Sequence, residues 1–249
     1  MIIYPKIDEK IKGIHSLKKY IDIYKGCELK MLNIDYKNIS LDYETPINML
    51  KDISPSIKEI TINMPSDFSA IEYFFFENIS KTKKLIKEIV KYSNENKLKI
   101  NILFTIRWNY QISESLTIKN IKEILKIVEN TKVMILLENV SYTEDEICTP
   151  LLICDFINDK QLKVCFDFNH FNKIFKVNIE EHFKKYVPLK YKKYIYQIHL
   201  SDNDEYIKII NKQKLTKKIL IISTKEEDYS NRINQVKQLN NIEKKMKNE

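Results

Sequence analysis

Eight short apolar runs punctuate this chain, and the segments between them carry apolar residues spaced at three and four. No other feature constrains the fold as strongly. The runs are Ile2–Pro5, Cys27–Asp35, Ile57–Pro65, Leu98–Ile106, Val133–Val140, Leu162–His170, Ile195–Asn203 and Ile219–Thr224. They are rich in Ile, Val, Leu and Phe with little polar alternation, as expected of strands buried on both faces. Helical spacing marks Ile14–Lys25 (Ile14, Leu17, Ile21, Tyr24), Glu77–Asn96 (Ile79, Leu85, Ile86, Ile89, Val90) and Ile118–Glu129 (Ile121, Leu125, Val128). Shorter helices are expected at Pro150–Asn158 and Ile179–Tyr186, and Ser230–Lys247 closes the chain. Strand and helix in alternation predict a parallel α/β sheet. Eight strands predict closure into a (β/α)8 barrel, and 249 residues is close to the roughly 250 typical of one.

The connections after the second and seventh runs break the rhythm. Leu41–Ser54 and Asp204–Lys218 are irregular and hold at most a short helix each. No repeat, Pro- or Ser-rich linker or composition break divides the chain. Residues 1–249 therefore read as a single domain, with about residues 240–249 polar enough to fray.

Composition excludes several functions. Gly13 and Gly26 are the two glycines, so a phosphate-cradling glycine loop is out of reach, and no G-x-G-x-x-G or G-x-x-x-x-G-K is present. The net charge of +8 raises the question of nucleic acid. Lys and Arg total 42, yet only Arg107 and Arg232 are arginine, the residue whose planar fork binds phosphates and bases with two donors at once. The lysines read as solvated surface and nucleic acid as a disfavoured partner. The basic stretch Lys184–Tyr196 is expected to cap a helix and lead into the seventh strand. Cys27, Cys148, Cys154 and Cys165 form no C-x-x-C pair, which argues against a zinc knuckle, and Cys27 and Cys165 read as small buried hydrophobes. No apolar run approaches the ~18–20 residues of a membrane span. The first residues lack the charged start and long apolar stretch of a signal peptide. A cytoplasmic protein without a membrane partner is the expectation.

A parallel barrel gathers the carboxyl ends of its strands around one pocket, and three successive runs end in ligand-type residues. Glu138 closes the fifth, Asp167 and His170 close the sixth, and His199 and Asp202 close the seventh. A carboxylate at the end of a Val-Met-Ile-Leu-Leu run is costly to bury unless it meets a cation, and a metal supplies one. Asp167 leaves its strand with His170 three residues on, in the turn, a spacing that serves one metal or one metal and a substrate oxygen. Neutral imidazole is the commonest metal ligand, and Asp202 is placed to orient a histidine from behind. His15 and His182 read as helix-surface residues.

The order Leu137-Glu138-Asn139, Cys165-Phe166-Asp167-Phe168-Asn169-His170, Gln197-Ile198-His199-Leu200-Ser201-Asp202-Asn203 resembles the xylose isomerase-like TIM barrel superfamily. That group includes sugar phosphate isomerases and epimerases, inosose dehydratases and metal-dependent apurinic-site (AP) endonucleases. Cys27-Glu28-Leu29 is similar to its glutamate-bearing second strand, and the strand order extends the resemblance over essentially the whole chain. The resemblance implies one divalent metal (Mn, Mg, Co or Zn) on Glu138, Asp167 and His199. It implies Glu138 as ligand and possible base, and His170 as a catalytic substrate contact. The substrate implied is a small polyhydroxylated carbonyl compound, sugar-like, contacted by His170; Arg107, Trp108 and Asp202, by their places after the strands, are read as further binding residues.

The departures from the family are as informative. The family's strand-eight ligand is glutamate, and the matching place here is Ser223, with Glu226, Glu227 and Asp228 beyond it. Two-base epimerisation then requires Glu226 to substitute, whereas one-base enolisation or a lyase-like elimination needs only Glu138. The endonuclease reading expects histidines on strands three and four, where the chain has Asn63 and Phe104-Thr105-Ile106-Arg107-Trp108. A barrel that has lost catalysis and binds a partner, or an anionic or ring-shaped ligand through Arg107 and Trp108, is the remaining alternative.

Overall fold

The computed structural model describes residues 2–8, 14–30, 34–35, 40–64, 71–106, 114–140, 143–144, 146–215, 217–222 and 229–247. The eight expected strands are present: β1 (Ile2–Asp8), β2 (Gly26–Lys30), β3 (Glu59–Asn63), β4 (Lys99–Ile106), β5 (Met134–Asn139), β6 (Leu162–Asp167), β7 (Ile195–Leu200) and β8 (Ile219–Ile222). Each pairs in parallel with its neighbour, and β1 pairs with both β2 and β8, so the sheet closes into a single (β/α)8 TIM barrel. Around it lie α1 (Lys18–Tyr24), α2 (Glu44–Ile53), α3 (Ile71–Glu95), α4 (Glu114–Val128), α5 (Thr149–Ile157), α6 (Phe168–Phe175), α7 (Ile179–Tyr186), α8 (Asp204–Lys212) and α9 (Tyr229–Lys247). Among the described residues no helix is long and apolar enough to cross a membrane.

The two irregular connections each hold one helix of about two and a half turns, α2 and α8. The second run is shorter than its apolar pattern suggested. β2 stops at Lys30, and Ile34–Asp35 pairs instead with Ser40–Leu41 in a separate antiparallel ladder. The basic stretch follows expectation: Lys184 and Lys185 end α7, and a short 3-10 helix, Leu189–Tyr194, leads into β7. Its lysines lie over tyrosine rings, Lys190 on Tyr191 at 4.5 Å and Lys193 on Tyr194 at 4.6 Å.

Successive strand residues face opposite sides of the sheet. Ile60, Ile62, Ile100, Ile102, Ile135, Leu137, Val164, Phe166 and Ile198 are buried in one cluster with helix residues such as Ile86, Ile89, Ile121, Ile124, Leu151 and Cys154. Each side chain of that kind contributes about 1.5–3 kcal/mol when fully buried. Behind β6 and β7, Phe166 meets Phe168 and Phe183 edge-on, and Phe168 stacks on Tyr206 at 5.2 Å. This aromatic cluster fixes α6, α7 and α8 against the strand end that carries Asp167.

The inner face is different, and it corrects the expectation of strands apolar on both sides. Glu28, Thr61, Asn101, Gln197 and His199 are buried polar residues, and several bond across the barrel between strands that are not neighbours. Thr61 Oγ1 donates to Gln197 Oε1 at 2.8 Å, and Gln197 Nε2 donates to Glu28 Oε2 at 2.7 Å. At the floor, Glu59 accepts from Tyr196 Oη at 2.6 Å and Asn101 Nδ2 at 2.8 Å, and pairs with Lys99 at 3.3 Å. A β-bulge brings Tyr196 there: Val164 pairs with Ile195 and Cys165 with Gln197, leaving Tyr196 as the extra residue. The apolar burden lies on the outer face, against helices. The inner face mixes a small apolar cluster, Leu103, Leu136 and Cys165, with polar residues whose donors and acceptors largely satisfy one another, Asn101 Oδ1 being an exception.

Candidate metal centre

Three of the sequence-predicted residues meet at the carboxyl end of the barrel. Glu138 stands near the end of β5, Asp167 at the end of β6, and His199 one residue before the end of β7. His199 Nδ1 lies 2.8 Å from Glu138 Oε1 and 3.5 Å from Asp167 Oδ2. All three side chains are buried. Register explains the meeting: Asp167 pairs with His199, and Glu138 pairs with Cys165, two residues before Asp167 on the same inward face.

A fourth residue completes the group. Glu28 on β2 is wholly buried, and its Oε2 lies 2.7 Å from His199 Nε2. Its Oε1 lies 3.0 Å from Lys6 Nζ and accepts from Asn63 Nδ2 at 2.9 Å. His199 is thus held at both ring nitrogens, by Glu28 on one side and by Glu138 and Asp167 on the other. Glu28 takes the orienting place that the sequence suggested for Asp202. Asp202 lies beyond the strand, where its carboxylate meets Lys245 of α9 at 2.8 Å, so the structure does not bring it into the group.

Asp167 and His170 relate differently from two ligands in a turn. β6 ends at Asp167 and α6 begins at Phe168, with Asp167 as its N-cap: Oδ1 accepts from the backbone N–H of His170 at 2.9 Å. The three-residue spacing is therefore a capping spacing, and it places His170 in the first turn of a helix. The His170 ring stays near the group, its Nε2 4.0 Å from Asp167 Oδ2, and is partly exposed. Asn139 clamps the same corner: its amide donates to the Asp167 carbonyl at 3.1 Å, and its Oδ1 accepts from Asp167 N–H at 2.5 Å.

Electrostatics follow from this packing. Burial works to raise the Glu28 carboxyl, but the charges of His199 and Lys6 outweigh it and hold it well below the usual carboxylate range. Burial likewise opposes ionisation of Asp167, and its bonds to His199 and His170 hold it low. For His199, burial disfavours the imidazolium while Cys165, Glu28 and Asp167 favour it, and its pKa ends well above 6.5. Burial pushes the Cys165 thiol itself up to about 12, so at neutral pH the carboxylates carry that effect. Lys6 is also held high: burial works against its charge, and Glu28 and Glu138 more than compensate.

Two sets of three residues each bring one ligand atom to within 4.8 Å of one another: Glu138, Cys165 and His199, and Glu138, Asp167 and His170. Charge decides whether an ion suits them. Among the described residues three carboxylates, Glu28, Glu138 and Asp167, share Lys6 and His199. With His199 as imidazolium the cluster keeps one excess negative charge in a buried place, and an ion that displaces the His199 proton meets two, the charge a divalent ion supplies. The donor set fits such a group.

Arg107, Trp108, Ser223, Glu226, Glu227 and Asp228 lie outside the described residues. His15 is exposed in a 3-10 turn, and His182 stacks on Phe175 at 4.3 Å, away from the barrel mouth.

Residues 77–209 match the family model described as xylose isomerase-like TIM barrel, and the chain belongs to that family. Similar solved structures include a D-tagatose 3-epimerase-like protein, at 16% identity over 98% of each chain with a TM-score of 0.64. Endonuclease IV from Thermus thermophilus is similar at 10% identity over 100% of each chain, also with a TM-score of 0.64. A xylose isomerase domain protein from Planctomyces limnophilus is similar at 12% identity over 99% of this chain and 98% of that one, with a TM-score of 0.62. No curated protein matches by sequence.

Proposed function

We propose that the chain is a divalent-metal-dependent enzyme of the isomerase or epimerase type, acting on a small polyhydroxylated carbonyl compound. The observation that carries this reading is the convergence of Glu138 and Asp167 on His199 Nδ1 from three adjacent strands, in a cluster where three carboxylates outnumber the cations. Glu138, Asp167 and His199 would hold the ion, which when bound polarises a carbonyl oxygen as a Lewis acid. Three protein ligands leave room for substrate or water, as catalytic sites require.

The chain's own residues do the rest. Glu138 offers one carboxylate oxygen as ligand and the other as the base that takes a proton from the carbon next to the carbonyl. His170, partly exposed at the mouth, donates to a substrate hydroxyl. Glu28 fixes which nitrogen of His199 carries the proton, leaving Nδ1 free to bind. Ser223 at the place of the second carboxylate favours one-base enolisation over two-base epimerisation. The nuclease reading is weaker, because Asn63 stands where a ligand histidine is expected and spends its amide on Glu28.

The test is a titration of metal-stripped protein with Mn2+, Mg2+, Co2+ and Zn2+ by calorimetry, followed by turnover assays on a panel of aldoses, ketoses and their phosphates. Stoichiometric binding that is lost in Glu138→Gln, together with turnover of a panel member, supports the reading. Absence of binding for all four ions sinks it. Binding without turnover across the panel favours a binding protein, and cleavage of abasic DNA favours the endonuclease.

A further inference from the structure

We infer that Cys165 is a ligand of the ion at this site, so that the site prefers a thiolate-accepting metal, Zn2+ or Co2+, over Mg2+ or Mn2+. The inference rests on the metal reading above and narrows its class of ion.

Cys165 precedes Asp167 by two residues on β6 and therefore shares its inward face. It pairs in register with Glu138 on one side and Gln197 on the other. It is wholly buried, and its sulfur lies 3.5 Å from Gln197 Nε2, the amide that also contacts His199 Nε2 at 3.1 Å. Ligand atoms of Glu138, Cys165 and His199 lie within 4.8 Å of one another. Bonds of about 2.0–2.3 Å from zinc to oxygen, nitrogen and sulfur require only a small inward movement from that spacing. Cys165 forms the floor of the site, one layer beneath Asp167.

A second observation points the same way. Glu138, Asp167 and His199 supply three ligands, and the sequence has Ser223 where a fourth carboxylate would stand. A thiolate from below adds a donor to the Glu138 and His199 pair, giving an O, N, S combination that tetrahedral zinc accepts beside a fourth ligand. Thiolate and imidazole select zinc and cobalt, whereas magnesium and manganese prefer oxygen. When the sulfur–metal bond forms, the S–H bond breaks, the sulfur electron pair goes to the metal and the proton leaves to solvent. The competing role for Cys165 is to fill space beside Leu103 and Leu136.

Cobalt-loaded protein tests the inference by absorption spectroscopy, without reference to activity. The wild type should show a thiolate-to-cobalt charge-transfer band in the near ultraviolet. Cys165→Ser and Cys165→Ala should both lose it, with Zn2+ affinity down at least about tenfold and Mn2+ affinity changed far less. Cys27, Cys148 and Cys154 remain as internal controls. Cobalt binding without that band, and with affinity unchanged in both variants, would overturn the role of Cys165 and leave the carboxylate–histidine site standing. Binding of Mg2+ or Mn2+ but not Co2+ or Zn2+ by the wild type would overturn the role of Cys165 alone, and failure with all four ions would remove the metal reading itself. If neither variant folds, cadmium NMR of the unsubstituted protein reads thiolate ligation directly, and a shift typical of oxygen and nitrogen ligands alone would refute it.

Discussion

Glu28→Gln is the substitution whose consequence can be worked furthest from the structure. Glu28 is wholly buried and meets four donors: Lys6 at 3.0 Å, His199 at 2.7 Å, Gln197 at 2.7 Å and Asn63 at 2.9 Å. Glutamine keeps the shape but removes the charge, and it turns one acceptor into an amide donor facing Lys6 or His199. Removing one partner of a buried ion pair costs about 3–5 kcal/mol, because the cation left behind has lost both water and counter-charge. Retained hydrogen bonds place Glu28→Gln near the lower end, about 3 kcal/mol. For a chain of this size each kcal/mol shifts the melting temperature by about 2–4 °C, so a fall of about 6–12 °C is expected in metal-free protein. Lys6→Met in the same background gives a double-mutant cycle. The double variant should be more stable than the sum of the single losses by about 1–3 kcal/mol, since it removes the stranded cation. The pH dependence has a definite sign. The Glu28 carboxyl is depressed in the folded state, so its contribution is fully present above its unfolded value of about 4.3 and is lost as pH falls through the depressed value. The stability gap between wild type and Glu28→Gln should therefore persist from neutral pH down to about pH 5 and close in stronger acid. Urea unfolding followed by circular dichroism measures all of this. A loss below about 1 kcal/mol at neutral pH, or a cycle with no coupling, would refute the argument that Glu28 is the counter-charge of this group.

Other outcomes follow from the same geometry. Asp167→Ala removes an N-cap and a partner of His199, and should cost more than the ~1 kcal/mol of a cap alone; Asp167→Asn keeps the cap, so a difference in thermal midpoint between the two separates capping from charge. Saturating a metal that binds the folded chain at a hundred times its dissociation constant should add about 2.7 kcal/mol, seen as a rise in melting temperature that a chelator reverses. Asp202→Ala should leave metal affinity unchanged by calorimetry, because its carboxylate serves Lys245 and not His199; a tenfold loss would restore it to the site. Gly26→Ala should destabilise by about 1–3 kcal/mol through overpacking, since a Cβ there would lie 2.7 Å from the Glu59 carbonyl oxygen and collide with the Tyr4 ring; a neutral thermal shift would show that the barrel floor yields.

Much of the architecture was legible because its signal is local. Each apolar run became a strand, and the segments spaced at three and four became helices. Glu138, Asp167 and His199 were legible for the same reason: a carboxylate or imidazole interrupting an apolar run is anomalous within a few residues. Their partners were not. Lys6, Asn63, Asn139 and Gln197 are ordinary polar residues in sequence, and they acquire roles only when barrel closure brings β1, β3, β5 and β7 around one axis. Glu28 was visible in Gly26-Cys27-Glu28-Leu29, yet its partner His199 lies 171 residues away. The bulge that frees Tyr196 has no signal in its own strand, since it is a property of the pairing between β6 and β7. Asp167–His170 shows the opposite case. The three-residue spacing also serves an N-cap through the His170 backbone N–H, a role that only the helix that follows reveals and that leaves both side chains beside Glu138.

The polar interior gives these observations a common cause. TIM barrel interiors are ordinarily dominated by branched apolar side chains, and this one carries a column of polar residues from floor to mouth. Glu59 at the floor accepts from Asn101, Asn101 reaches Thr61 at 3.2 Å, Thr61 donates to Gln197, and Gln197 donates to Glu28, which holds His199. Such a column is unfavourable relative to an apolar core unless every member is satisfied, so it adds little to stability. What it adds is position. Each amide or hydroxyl has its direction set by the one beneath it, and the last link sets the rotation of the His199 ring between Glu28 and Glu138. A barrel packed with valine and isoleucine would leave that ring to its own rotamers. The cost in burial energy is recovered on the outer face, where the isoleucine- and phenylalanine-rich layer meets the helices. The same division explains why the apolar runs marked the strands so clearly: the outer face wrote the pattern, and the inner face wrote the site.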